Sequence, residues 1–268
     1  MSLSRRMRRE RRKDLAAIAM ILLFAFLIVS GNAVGNFMAE KVIAPLMALA
    51  DKTDNREKSA EGAVSITITP TVPSMFVVSA GIFSSGKLAE ATEKLSALGG
   101  GAYPMAESGS TSLLFGCFAS RSTAEQIAQN LAGSFPDAAI RTLTADVPAV
   151  RLTGSASQTQ AVADGFSLLS DTVSELLTCA DALSVGDLTR LQASVKLKEK
   201  ESALKDTLSV LKELATTHAT VRALREAVLC LDTLLENLPE STDGAFIRQL
   251  HYTAAAASRE YVDFLTKL

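Results

Sequence analysis

Histidine occurs only twice in these 268 residues, cysteine three times and proline seven times. His218 and His251 both fall in stretches of helical spacing, with no Cys, Asp or Glu at metal-ligand intervals, so a zinc hydrolase would lack its usual ligands. Each reads as a solvated residue or one at the edge of a helical bundle. Cys117, Cys179 and Cys230 are odd in number and widely spaced. Cys179 and Cys230 could pair across two helices in an oxidising exterior, but apolar settings such as Val228-Leu-Cys-Leu231 favour separately buried thiols. A phosphate-cradling glycine loop is missing too, because Gly99-Gly-Gly101 follows a helical stretch and phosphate cradles precede one. These gaps leave no catalytic residue, metal or cofactor to expect. Few Gly and Pro in a chain that is 48% apolar allow one large or two small domains.

Charge is unevenly placed along the chain. The formal net charge is -2, yet residues 1–14 hold seven basic residues, Arg5 to Lys13, beside only Glu10 and Asp14. The rest carries 20 basic against 27 acidic residues, a balance of -7. Leu15 to Val29 then contains no charge, and ten of its fifteen residues are Leu, Ile, Phe or Val. At about -0.3 to -0.6 kcal/mol each, these favour insertion by roughly 3 to 6 kcal/mol. The apolar character continues through Met38, so a transmembrane helix is predicted over 15–38, with the basic tail 1–14 in the cytoplasm. A cleaved signal peptide ending near Gly31-Asn-Ala33 is the rival reading, and the length of the run favours an uncleaved anchor. The basic block reads as a topology signal, with attraction to anionic lipid an added role. The expected location is therefore the bacterial cytoplasmic membrane, single pass, with most of the chain outside; no nucleic-acid partner is expected.

Beyond the anchor, residues 39–74 read as a tether. Asp51 to Lys58 lacks apolar periodicity, and Thr69-Pro-Thr-Val-Pro-Ser74 stiffens the approach to the next segment. There follows a duplication. Gly81-Ile-Phe-Ser-Ser-Gly-Lys-Leu-Ala-Glu90 recurs 35 residues later as Gly116-Cys-Phe-Ala-Ser-Arg-Ser-Thr-Ala-Glu125. In each copy an apolar run reaches a Gly that bends the backbone, then a Phe to bury, then a Ser to cap a helix. Helical spacing follows, with Leu88, Ala91 and Leu95 in one copy and Ala124, Ile127, Ala128 and Leu131 in the other. Gly99 to Gly101 ends the first helix, Ala102 to Ala106 returns as a strand, Ser108-Gly-Ser110 turns the chain, and Ala138 to Thr144 supplies the last strand. The predicted order over 75–145 is βαββαβ, a ferredoxin-like arrangement.

That order, with the Gly-x-Phe-x-Ser signature in both halves, resembles the SPOR domain of bacterial cell-envelope proteins; the resemblance covers 75–145, about a quarter of the chain. It implies binding of peptidoglycan, with preference for denuded glycan strands, at the division or sporulation septum. It further implies that ligand lies on the sheet face away from the two helices. Strand alternation gives that face Val77, Ser79, Ser112 and Leu114 on the outer strands, with Tyr103 joining them as an aromatic platform for a sugar. The chain departs from the family at Ser79, where Gln is frequent, and at Leu114, where a polar or basic residue is common. An apolar face equally suits a protein surface, so the alternative is that C-terminal helices cover it.

Residues 146–156, with Pro148, read as a linker or short edge strand. From 157 to 268 the spacing is helical almost throughout. Val162, Phe166, Leu169, Val173, Leu176 and Leu177 form a stripe that stops near Gly186; a second segment starts at Asp187, with a turn or stutter near Thr216-Thr-His218; Pro239 to Gly244 breaks again before a last helix from Phe246. The heptads Leu214, Val221, Val228, Leu235 and Leu224, Leu231, Leu238 read as internal core of an independent bundle of three or four helices. The expected fold class is thus α+β plus an all-α helical bundle, behind one transmembrane helix. Two functions follow from it: a non-enzymatic wall-binding anchor, or an interaction scaffold with envelope or septal protein partners whose SPOR-like fold no longer binds glycan.

Overall fold

A computed structural model describes residues 63–268, apart from 108, 148, 215–217 and 241–242. The predicted cytoplasmic tail, the transmembrane helix over 15–38 and the greater part of the tether lie outside the described residues. Among those described, no helix is long and apolar enough to cross a membrane.

The chain is α+β. Strands β1 (Val64–Ile68) and β2 (Met75–Phe83) lead to helix α1 (Ser85–Ala97), strands β3 (Tyr103–Glu107) and β4 (Ser110–Phe118), helix α2 (Arg121–Ala132) and strand β5 (Ala139–Leu143). Strand β6 (Val150–Gly154) precedes helices α3 (Ala156–Val185), α4 (Arg190–Glu213), α5 (Ala219–Glu236) and α6 (Gly244–Thr266). From β2 to β5 the order is the predicted βαββαβ, and the four strands form an antiparallel sheet in the order β3-β4-β2-β5. Helix α1 packs on β2 and β4, and α2 packs on β2, β4 and β5.

The two copies of the duplication differ in local mechanics. Ser120 caps α2, its hydroxyl accepting the Thr123 N–H, whereas α1 starts one residue earlier and its N-cap Ser84 makes no such bond. Gly81 has φ +134°, a conformation that L side chains rarely adopt, so the bend expected there is real. Gly116 has an ordinary φ and lies inside β4, where it is needed for a close approach described below.

Two segments read as tether and as linker or short edge strand form a pair of strands. Val64–Ile68, assigned to the tether, pairs antiparallel with Val150–Gly154 as a two-stranded ribbon against α3, since Ile66 and Leu152 alternate inward. The carbonyl of Thr71 then accepts hydrogen bonds from Tyr261 Oη at 2.6 Å and Ser170 Oγ at 2.9 Å, which fastens the approach to β2 onto α3 and α6. Residues 64–68, assigned to the tether, are therefore a strand of the folded unit, and 146–156, read as a linker or short edge strand, holds the strand.

The four predicted helical stretches are present. Gly186, with φ +83°, closes α3, and capping boxes at Ser155–Gln158 and Thr189–Gln192 start α3 and α4. The α3 stripe, the α4 stripe of Leu204, Leu208 and Leu211, and Val221, Val228 and Leu235 on α5 are all buried. Leu214 falls past the end of α4, so the heptad's first member is not part of α5.

The expectation of an independent bundle is corrected. Residues 61–268 form one compact unit, with one core running from Met75 and Leu114 through Leu169 to Leu265. The physical reason is α6. From Thr253 to Ser258 every residue is buried, and a helix that is buried on all sides needs a partner beyond its own bundle. That partner is the sheet: α6 contacts β3, β4 and β5, and α3 also reaches β4.

Candidate functional site

The five residues expected on an open glycan-binding face come together, but the face is covered. Tyr103 on β3 stands opposite Leu114 on β4, and Leu114 stands opposite Ser79 on β2. Ser79 Oγ lies 2.9 Å from Ser112 Oγ across the same strand pair. Residues directly opposite in an antiparallel pair project to the same side, so these four share a face. Val77, two residues before Ser79, pairs with Cys117. Relative exposures are 1% for Val77, Ser79 and Leu114 and 0% for Ser112, and Tyr103 is half-buried. Their expected outward exposure is corrected on the same ground as the bundle, since α6 occupies the face.

Ser79 and Tyr103 have structural work on this face. The pairing of β2 with β4 slips on both sides of Ser79, and a bulge leaves a backbone amide without its ladder partner. The Gly81 N–H finds one in Ser79 Oγ at 3.1 Å, so this hydroxyl stitches the bulge and leaves no lone pair aimed at solvent. The Tyr103 ring meets Tyr252 of α6 edge to face, with centroids 5.3 Å apart at 74°. Burial, followed by the carboxylate of Glu260, raises its phenol pKa.

Close approach of α6 depends on two glycines. A Cβ at Gly101 would overlap the backbone nitrogen of Tyr252, and one at Gly116 would come within 3.3 Å of the His251 Cβ. His251 itself, expected to be solvated or at a bundle edge, is 3% exposed. Its ring packs against both Phe115 and Phe118, with centroids 5.0 and 5.6 Å away. Nδ1–H donates to the Gly99 carbonyl at 2.9 Å, and Nε2 sits 3.4 Å from Ser184 Oγ on α3. Burial pushes the imidazole pKa down to about 4, against the opposing effect of the Gly99 bond, so the ring is neutral near pH 7. His218 is exposed and takes the N-cap position of α5.

The Ser184–His251 contact has the residue types of a nucleophile and its base but not the arrangement. Ser184 Oγ donates to the Ala180 carbonyl of its own helix at 2.7 Å. The amides of Gly99, Gly100 and Gly101, the donors an oxyanion hole would need, are spent on Ser96, Leu95 and Phe115 carbonyls. Cys117 and Cys179 are buried thiols pushed up to about 12 chiefly by desolvation, and Cys230 is half-buried. All three are free, so the pairing of Cys179 with Cys230 is not made. Among the described residues, no cluster of His, Cys, Asp and Glu could hold a metal ion.

Sequence reasoning missed Gly101, Gly116, His251 and Tyr252 as the residues that close the face. A signal was present. Met75 to Val78 and Leu113 to Phe115 are continuous apolar runs, the pattern of strands covered on both faces, rather than the alternation of a sheet open on one side. Thr253-Ala-Ala-Ala-Ala-Ser258 likewise marks a helix with small residues all round, able to lie close against another surface.

No family model, curated protein or solved structure matches this chain.

Proposed function

We propose that this protein is a non-enzymatic, membrane-anchored scaffold of the bacterial cell envelope. In this reading the SPOR-like, ferredoxin-like unit has given its ligand face to the protein's own helices, and protein partners replace glycan. One observation carries it: the Ser79, Tyr103, Ser112 and Leu114 face lies under α6, with Gly101 and Gly116 bare to let that helix in. A sugar would have to displace Tyr252 and a helix whose length from Phe246 to Leu265 belongs to the common core. Burying an aliphatic or aromatic side chain stabilises by about 1.5 to 3 kcal/mol, so exposing several at once would consume most of the affinity a glycan could offer.

The test is retention of the full-length protein, in detergent, on purified peptidoglycan with and without amidase pretreatment. The expected result is no retention above that of a membrane protein without the unit. Retention that rises on denuded glycan, and is lost in Tyr103→Ala without a change in melting temperature, would restore the wall-binding anchor instead.

A further inference from the structure

We infer that β1 pairs along its free edge with β1 of a second copy of this chain, joining two β1–β6 ribbons into one four-stranded sheet. Among the described residues β1 has a single neighbouring strand, β6. Burial across that ribbon is lopsided. On its inner face Ile66 pairs with Leu152 and Ile68 with Val150. Leu152 is 4% and Val150 7% exposed, whereas Ile66 and Ile68 are only half-buried and Val64, on the same face, is 39% exposed. The apolar side of the ribbon is thus closed along β6 and open along β1, where one further strand would cover Val64, Ile66 and Ile68.

The other strand edges carry guards that β1 lacks. Strand β3 contains Pro104, which has no N–H to offer, β5 contains Arg141 and β6 contains Arg151. Strand β1 reads Val-Ser-Ile-Thr-Ile, with four of five residues β-branched and neither charge nor proline, so it favours the pleated conformation and repels no neighbour. Its pattern is complementary to itself. Antiparallel pairing about a two-fold axis at Ile66 sets Val64 opposite Ile68 of the second copy, Ile66 opposite its counterpart, and Ser65 opposite Thr67. Apolar residues then meet on the inner face and hydroxyls on the outer, the cross-strand pairs that stabilise a sheet. A slip of one residue would set Ile68 against Ser65 and turn one apolar face outward, so a single register is specified. Five residues paired over about 17 Å, at 3.4 Å per residue, make a small contact, and the association is therefore reversible. The inference adds a self-associating edge to the scaffold reading, and its test is independent of peptidoglycan.

The experiment follows the oligomeric state of the full-length protein in detergent by analytical ultracentrifugation, from low micromolar to about 100 μM. A monomer–dimer equilibrium is expected. Ser65→Asp with Thr67→Asp sets acids directly opposite one another across the two-fold axis and should weaken the dimer about tenfold or more. The melting temperature of the monomer should hold, since both side chains are exposed and Arg151 Nε, 2.9 Å from Ser65 Oγ, meets the new charge. Ser65→Lys with Thr67→Lys should weaken association likewise, and mixing the acidic and basic variants should restore it as a heterodimer. In a Cys230→Ser background, a mixture of Ser65→Cys and Thr67→Cys chains should form disulfides faster than Ser65→Cys alone, because directly opposite Cβ atoms lie about 4.5 to 5.5 Å apart and diagonal neighbours about 7 to 8 Å. A protein that stays monomeric throughout overturns the inference, as does a dimer that neither charge variant weakens. Failure of the mixed charge variants to associate, or cross-linking without preference for the Ser65–Thr67 pair, overturns it equally. Retention on peptidoglycan would defeat the scaffold reading while leaving the oligomeric state to stand or fall by itself.

Discussion

Asp181 on α3 accepts the backbone N–H of Ser120, the N-cap residue of α2, through Oδ2 at 2.8 Å. A bundle helix thus caps a helix of the sheet unit, and the two parts share one hydrogen-bonded seam as well as one core. Burial raises the Asp181 pKa, and hydrogen bonds from the Ser120 and Ala119 amides oppose that rise. The carboxylate is half-buried, so it is held at a desolvation cost for the sake of this contact.

Asp181→Ala should therefore lower stability by about 1 to 2 kcal/mol, the range for losing a capping acceptor. Chemical denaturation should still show one transition, reported equally by tyrosine fluorescence and by circular dichroism. Two separate transitions would show that sheet and helices fold apart.

Gly101→Ala puts a methyl group into the backbone of α6 at Tyr252 and should cost about 1 to 3 kcal/mol. Gly133→Ala is the control: that residue has φ -66° and no atom within 4 Å of a new Cβ, so the change should be neutral or stabilising by up to about 1 kcal/mol. Equal melting temperatures for the two variants would contradict the close approach of α6.

His251 makes stability dependent on acid. Its folded pKa of about 4 lies below the ordinary value of 6.5, so the unfolded chain binds a proton that the folded protein refuses. The contribution is complete above pH 6.5 and declines as pH falls towards 4, by about 3 kcal/mol in all. Asp181, with its raised pKa, acts in the opposite sense in the acid range, so the readout is the difference between wild type and His251→Gln. That difference should shrink from pH 7 to pH 4. A constant difference would place the imidazole in solvent.

A fragment of residues 157–268 should be helical yet melt without cooperativity, because α6 loses the sheet that covers Thr253 to Ser258. Calorimetry of the fragment beside residues 61–268 checks this. A sharp transition of the fragment at the parent's temperature would support the independent bundle predicted from its heptads.

Local order was legible in the residues themselves. The βαββαβ order, the stop at Gly99 to Gly101, the left-handed turn at Gly186 and the break after Leu238 follow from spacing and turn chemistry within a few residues. These features depend on neighbours along the chain, and the chain states its neighbours. What lies on the far side of the sheet depends on residues such as Leu114 and His251, about 140 positions apart, that no local pattern joins. Alternation could put Ser79, Ser112, Leu114 and Tyr103 on one face but could not say whether sugar, solvent or helix would lie over it. An apolar face buries itself against whatever surface fits with fewest voids. Only tertiary packing decided that the surface is α6, because Gly101, Gly116 and the small residues from Thr253 to Ser258 let two backbones approach more closely than any exposed ligand face would require.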